Sequence, residues 1–121
     1  MPTDDLAAGK SVLHQEVDAL KRLAESLDGA YLKALDILAA VSGRVIVTGM
    51  GKSGHVARKI AATLASTGTP AQFGHPAEAS HGDLGMVTSK DAVQALSNSG
   101  ETAERSDIIG YARRWAIPLI G

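Results

Sequence analysis

The sequence lacks several residue types and patterns, and each absence removes a class of protein. None of the 121 residues is a cysteine, which excludes disulfides and thiol chemistry. Aromatic residues make up only 3%, so a core must be built from valine, isoleucine, leucine and alanine. A net charge of −1 gives no reason to expect a nucleic acid or a membrane surface as partner. No apolar run approaches the roughly 18 residues of a membrane span, and no signal peptide is recognisable, so we expect a cytoplasmic protein.

The first third of the chain has the pattern of helices. Apolar residues recur at spacings of three and four between residues 11 and 41, which predicts amphipathic helix. Asp28 and Gly29 should break this stretch into two helices, because glycine weakens a helix and aspartate caps the next one. Residues 1–10 are small and polar, and we expect them to be irregular. Residues 1–43 are therefore predicted to form an N-terminal helical segment.

The rest of the chain alternates short apolar strands with helices. Strands are predicted at residues 44–48, 71–74, 92–96 and 117–120, and helices at 53–66 and 101–115. This alternation implies right-handed βαβ units, hence an α/β fold with a parallel sheet and helices on both faces. We expect residues 44–121 to form this domain, with Val45–Val47 buried at its centre. In such sheets ligands bind outside the carboxyl ends of the strands.

The turn after the first predicted strand is rich in glycine. Gly49, Gly51 and Gly54 fit the dinucleotide pattern G-x-G-x-x-G, but no acidic residue follows about 20 positions later to hold a ribose. The mononucleotide P-loop fails as well, because Ile46 stands where its first glycine belongs. A tight strand-to-helix turn is the plain structural alternative. It leaves Lys52 unexplained, since a lysine beside the first amides of a helix needs an anion or a carboxylate nearby.

The turn after the third predicted strand carries hydroxyl groups. Ser97, Ser99 and Thr102 stand around Gly100 at a predicted helix start. Hydroxyls and free amides together suit a phosphate without a metal, although one hydroxyl would suffice for ordinary helix capping. Glu104 follows on the same helix and either faces the same cleft or lies on the solvated surface.

A third polar cluster, between residues 75 and 83, contains two histidines and two acids. Glu78 and His81 have the spacing of a helical ligand pair, but the cluster matches no strong zinc pattern. His75 and His81 are more simply interpreted as polar groups that line a site.

These motifs, in this order, resemble one family. Ser97-x-Ser99-Gly100-x-Thr102 looks like the phosphate loop of sugar isomerase (SIS) domains. The runs at 49–55, 65–70 and 75–87 closely resemble bacterial arabinose-5-phosphate isomerases, and the resemblance covers about residues 30–121. That family interconverts ribulose 5-phosphate and arabinose 5-phosphate on the way to the Kdo sugar of lipopolysaccharide. The resemblance therefore implies an SIS-type, Rossmann-like three-layer fold and an aldose–ketose isomerase without a cofactor.

The resemblance also implies roles for individual residues. It places Lys52 and Glu104 at catalytically relevant positions and His81 among the residues that line the sugar. From the needs of the reaction we expect Glu104 to act as a base, Lys52 to offset the developing oxyanion or to assist ring opening, and His81 to orient hydroxyls or shuttle protons. The implied substrate-binding residues are Ser53, Gly68, Thr69, His75, Ser97, Ser99 and Thr102. Zinc can occupy the family's site through the histidine that matches His75, as an inhibitor.

The sequence departs from the family in being shorter. The family's SIS domain continues with a fifth strand and further helices, and two CBS domains usually follow, so we expect this sequence to be the front part of a longer protein. Relatives assemble as dimers and tetramers, and the apolar stripes of residues 11–41 agree with a homo-oligomer. Two alternatives stay open within the fold: a non-catalytic module that senses a sugar phosphate, and an SIS isomerase for another phosphosugar. A nicotinamide-binding domain is a third, which NADH binding would reveal.

Overall fold

The computed structural model describes residues 4–75, 88–96 and 117–120. The chain divides into two compact units, Met1–Lys33 and Ala34–Gly121. Within the described residues, no helix combines the length and the apolar character needed to cross a bilayer.

The first unit is built around helix α1, Asp4–Ser26. The expectation that residues 1–10 are irregular was wrong, because the helix already begins at Asp4. Asp4 and Asp5 occupy its first turn, where negative charge favours the partial positive charge of the helix start. The predicted break is confirmed: helix α2 spans Gly29–Ala40, and the Ala30 amide donates a 3.0 Å hydrogen bond to the Asp28 carboxylate.

The second unit contains a four-stranded sheet in which every neighbouring pair is parallel, as predicted. Its strands are β1 Val45–Gly49, β2 Ala71–Phe73, β3 Ala92–Leu96 and β4 Leu119–Ile120, in the spatial order β2-β1-β3-β4. Helix α3, Lys52–Ser66, connects β1 to β2. Each of these elements agrees with its predicted position to within two residues, because each is bounded by glycine, proline or polar turn residues.

The core forms where β1 meets α3. Val45 and Val47 are fully buried and pack against Ala57 and Ala61 of the helix. All five residues of β1 are buried, and alternate side chains of a strand point to opposite faces, so both faces of this central strand are covered. This confirms the predicted central position of Val45–Val47. The helix predicted at residues 101–115 lies outside the described residues.

The amino edge of the sheet is held together by a buried carboxylate. Asp91, only 3% exposed, accepts hydrogen bonds from the amides of Arg44 at 2.8 Å and Thr88 at 2.9 Å. The Arg44 guanidinium lies 4.0 Å from the same carboxylate and also donates a hydrogen bond to the Gln72 side chain. Side chains from the starts of β1, β2 and β3 are thus joined at this edge.

Candidate functional site

Strands β1, β2 and β3 are parallel, so they all end at the same edge of the sheet. The last residues of β1 and β3, Gly49 and Leu96, are partners in the parallel register. Phe73, the last residue of β2, is paired with Val47, two residues before the end of β1. The chain goes from β1 outward to β2 and then returns to β3 on the other side of β1, so the strand order reverses between β1 and β3. A reversal of this kind opens a crevice at the carboxyl edge, and ligands of open α/β sheets bind there.

The glycine-rich turn after β1 has a structural explanation at each glycine. A Cβ on Gly49 would come within 2.8 Å of the Ser53 backbone, and a Cβ on Gly54 would come within 2.8 Å of the Gly49 carbonyl oxygen. Gly51 has a φ of +59°, which other residues rarely adopt. The G-x-G-x-x-G pattern is therefore accounted for by a tight turn from strand to helix, with no need for a dinucleotide.

Lys52 lies directly after this turn, as the first residue of α3. Its side chain is exposed, and Ser53 beside it is half-buried. Gly51 occupies the N-cap position and offers no side chain, so no side-chain hydrogen bond caps the helix. An exposed ammonium group and uncapped amides therefore meet at one helix start, which is an electrostatic setting that suits an anion.

His75 follows β2 at the same edge and belongs to an aromatic and cationic stack. The Phe73 ring lies edge-on to the His75 ring, with centroids 6.2 Å apart and an interplanar angle of 79°. The Arg58 guanidinium of α3 lies 4.0 Å from the centre of the Phe73 ring. Reasoning from the sequence missed both Arg58 and Phe73. Phe73 is the single phenylalanine of the chain and stands at a predicted strand end two residues before a site histidine, which was the available signal.

Gly68 and Thr69 are placed elsewhere. They lie between the end of α3 and the start of β2, where the Thr69 amide bonds to the Leu64 carbonyl. The next residue, Pro70, accepts a hydrogen bond from the amide of Val45 at the start of β1. This is the amino edge of the sheet, about 13 Å from the carboxyl edge at roughly 3.3 Å per residue of β1. Within one chain the structure brings Lys52, Ser53 and His75 to one edge, but not these two residues.

The other candidates, His81, Ser97, Ser99, Thr102 and Glu104, lie outside the described residues, so their roles stay predictions. Ser97 directly follows Leu96 in the sequence, and Leu96 is paired with Gly49 at the end of β1. For zinc, the described part of the chain brings no three histidine, cysteine, aspartate or glutamate side chains together. The inhibitory zinc that the resemblance implies at His75 stays a prediction, and no step of the proposed chemistry depends on it.

Comparison with known proteins agrees with this architecture. The SIS domain model matches residues 38–121, which is most of the chain. The chain belongs to the SIS domain family. Two of its curated SIS relatives are arabinose 5-phosphate isomerases named KdsD. That of Pseudomonas aeruginosa is 52% identical over 97% of this chain, and that of Escherichia coli is 50% identical over 93%.

Solved structures show the same fold. A protein of Escherichia coli CFT073 in complex with arabinose 5-phosphate has a TM-score of 0.87 and 42% identity over 97% of this chain. A sugar-phosphate isomerase described as putative, from Listeria monocytogenes, has a TM-score of 0.88 and 30% identity over 96%. The chain spans 36% and 34% of the lengths of the two curated relatives, and 62% and 61% of the two solved chains. The SIS-type parallel fold predicted from the sequence is thereby confirmed.

Proposed function

We propose that this chain is the sugar-phosphate-binding domain of an aldose–ketose isomerase that interconverts D-ribulose 5-phosphate and D-arabinose 5-phosphate, a reaction of Kdo and lipopolysaccharide biosynthesis. One observation carries the proposal. Lys52, His75 and the segment that begins at Ser97 all follow strand ends at one edge of the sheet, in a chain half identical to arabinose 5-phosphate isomerases.

The phosphate is assigned to the segment after β3. Ser97, Ser99 and Thr102 would donate hydroxyl hydrogen bonds to its oxygens, and charge-assisted hydrogen bonds of this kind are stronger than neutral ones. Binding the phosphate far from the reacting carbons fixes the substrate without taking part in bond changes. The sugar then extends from this segment toward the turn after β1, where Lys52 and Ser53 lie.

The chemistry transfers one proton between carbons and another between oxygens. Removal of the proton on C2 of the aldose gives an enediolate, and return of a proton to C1 gives the ketose. Substrate and product have the same atoms, so the reaction consumes no cofactor. We assign the carbon proton to Glu104, stabilisation of the enediolate oxygen to the Lys52 ammonium, and orientation of hydroxyls or proton shuttling to His81.

Ser53 and His75 are assigned to the sugar itself. Both lie at the carboxyl edge, and the contact between Phe73 and His75 limits the orientations available to the imidazole ring. Gly68 and Thr69 lie at the opposite edge, so their assignment to the sugar has no support from the arrangement within one chain.

A non-catalytic module that senses a sugar phosphate is the second candidate. The chain spans about a third of its curated relatives, so groups that those proteins need for catalysis can lie beyond the part compared. Such a module would bind arabinose 5-phosphate without converting it. An SIS isomerase for another phosphosugar would convert a hexulose or heptulose phosphate faster than either pentose phosphate.

A coupled isomerase assay on the full-length gene product tests the proposal. Arabinose 5-phosphate should be consumed with formation of ribulose 5-phosphate, and other phosphosugars should react at least tenfold more slowly. Binding without turnover would favour the sensing module. NADH should not bind, and an increase in its fluorescence would favour the nicotinamide alternative.

We also propose that the protein is a cytoplasmic homo-oligomer. Helix α1 has no buried residue, and four leucines recur at seven-residue intervals through it and just beyond its end, each more than half exposed: Leu6, Leu13, Leu20 and Leu27. An apolar stripe of this length favours contact with another apolar surface. Light scattering on the full-length protein should give a dimer or tetramer, and a monomer at all concentrations would contradict the proposal.

A further inference from the structure

Thr48 places a hydroxyl group inside the protein just before β1 ends. The residue is 3% exposed. Among the residues that the structure describes, its Oγ1 is the one buried side-chain polar atom that has no hydrogen-bond partner. Burying a hydroxyl without a partner costs folding free energy, whereas a methyl group of the same shape would not. A group of this kind needs an explanation, and a role in binding a ligand or an ordered water is one of the usual ones.

The position of Thr48 links this hydroxyl to the candidate site. Thr48 is paired with Ala95, and the next pair, Gly49 with Leu96, ends both strands. Val45 and Val47 pack against α3, so by strand alternation the Thr48 side chain points to the other face of the sheet. Its partner Ala95 shares that face and carries only a methyl group. The hydroxyl therefore lies one residue below the edge where the strand order reverses, directly before the turn that leads to Lys52.

We propose that Thr48 is a ligand-binding residue, whose Oγ1 forms its missing hydrogen bond to the bound sugar phosphate, either directly or through one ordered water. A threonine hydroxyl both donates and accepts, so it suits a phosphate oxygen or a sugar hydroxyl equally. A bridging water would transmit the interaction with little loss of enthalpy. The inference rests on the proposed function for the identity of the ligand, and it adds a residue that neither the sequence motifs nor the resemblance assigned.

Thr48→Val in the full-length gene product separates this role from a structural one. Valine keeps the shape and removes the hydroxyl. Without ligand, the Tm should be unchanged or higher, because an unpaired polar group has been replaced by an apolar one. The KM for arabinose 5-phosphate should rise about 3- to 10-fold, which is the loss of one hydrogen bond to the ligand. Thr48→Ser, which keeps the hydroxyl, should stay within about twofold of wild type.

Thr88→Val is the matched control. The Thr88 hydroxyl lies 3.3 Å from the Asp91 carboxylate and accepts a hydrogen bond from the Lys90 amide, at the amino edge of the sheet. The same chemical change there removes satisfied hydrogen bonds. It should lower the Tm and leave the KM unchanged, which is the reverse of the pattern expected for Thr48.

Two results would overturn the inference. A lower Tm for ligand-free Thr48→Val would show that the hydroxyl has a partner within the protein. An unchanged KM in an active variant would show that the ligand does not use it. A wild-type protein that neither binds nor converts arabinose 5-phosphate would instead refute the proposed function, and the inference with it.

Inorganic phosphate distinguishes the two groups that Thr48 could contact. If Thr48→Val weakens inhibition by inorganic phosphate as much as it raises the KM, the hydroxyl contacts a phosphate oxygen. If phosphate inhibits the variant and wild type equally while the KM still rises, the hydroxyl contacts the sugar. Both results support the inference and locate the contact.

Discussion

The amino and carboxyl edges of the same sheet satisfy their polar groups in different ways. At the amino edge, Asp91 accepts hydrogen bonds from the amides of Arg44 and Thr88, and Arg44 reaches Gln72 on the neighbouring strand. At the carboxyl edge, glycine replaces side chains in the turn after β1, helix α3 starts without a side-chain cap, and Thr48 has no partner among the described residues. Both edges belong to the same three strands.

The amino edge contributes to the stability of the fold, whereas the carboxyl edge is the proposed ligand site. Hydrogen bonds around the buried Asp91 carboxylate join the starts of β1 and β3, and Arg44 extends them to β2. The carboxyl edge keeps a helix start without a side-chain cap, an exposed lysine and a buried unpaired hydroxyl, which are features that suit a phosphorylated ligand, and the hydroxyl does so at a cost in folding free energy. Substitutions at the two edges should therefore change different measured quantities.

The largest effect is expected from Lys52→Ala. If the ammonium group stabilises the enediolate oxygen, kcat should fall by a factor of about 100 or more, as for loss of one oxyanion-stabilising donor. The affinity for product should change much less, because the interaction forms in the transition state. Steady-state kinetics on the full-length protein measures both quantities. Lys59→Ala, an exposed lysine on the same helix, should have no effect. A near-normal kcat for Lys52→Ala would mean that the lysine only binds an anion.

Asp91→Ala should have the next largest effect, and on stability. Two backbone amides lose their buried acceptor and Arg44 loses its carboxylate partner. We expect the free energy of unfolding to fall by about 2–4 kcal/mol. Urea denaturation measures it, with the exposed Asp36→Ala as a control that should change little. A loss below about 0.5 kcal/mol would remove the contrast between the two edges.

Ser99→Ala should weaken ligand binding without impairing the fold. The lost hydrogen bond to phosphate is worth about 1–3 kcal/mol, so the KM should rise more than kcat falls. Inorganic phosphate should also compete less well than in wild type. Ser66→Ala removes a hydroxyl that bonds a helix carbonyl at the other end of α3, and should leave the KM unchanged. Equal inhibition of wild type and Ser99→Ala by phosphate would exclude Ser99 from the phosphate site.

The smallest effect is expected from Phe73→Leu. Leucine stays apolar but loses the ring that contacts both Arg58 and His75. These interactions are each worth roughly 0.5–1 kcal/mol, so the KM should rise about 2- to 5-fold if they orient His75. Arg58→Lys keeps a cation over the ring and should be milder. An unchanged KM in Phe73→Leu would show that the stack does not position the histidine.

How much of the structure the sequence predicts depends on how far apart along the chain the interacting residues lie. The strand and helix positions follow from local patterns. The glycine and proline residues that flank α3 restrict where this helix can begin and end. The carboxyl-edge position of Lys52 and His75 follows as well, because residues after parallel strands must meet at one edge. The Asp91–Arg44 contact was not predictable, since it joins residues 47 positions apart with no pattern of their own.

One error has a local physical reason. The first ten residues were judged too polar for a helix, although Asp4 and Asp5 favour a helix start. Gly68 and Thr69 were assigned to the sugar by resemblance alone, and they lie before β2, at the edge opposite Lys52. Their role stays a prediction.

The central claim is that the sugar phosphate binds at the carboxyl edge of the sheet. Hydrogen–deuterium exchange with and without arabinose 5-phosphate tests it most directly, because one experiment on the full-length protein measures amide protection at both edges. Peptides that cover Gly49–His55 and Gly74–His75 should gain protection when the ligand binds. Peptides that cover Gly43–Val45 and Thr88–Asp91 should be unchanged. Protection confined to the amino edge, or none at saturating ligand, would contradict the assignment of the sugar-phosphate site to the carboxyl edge.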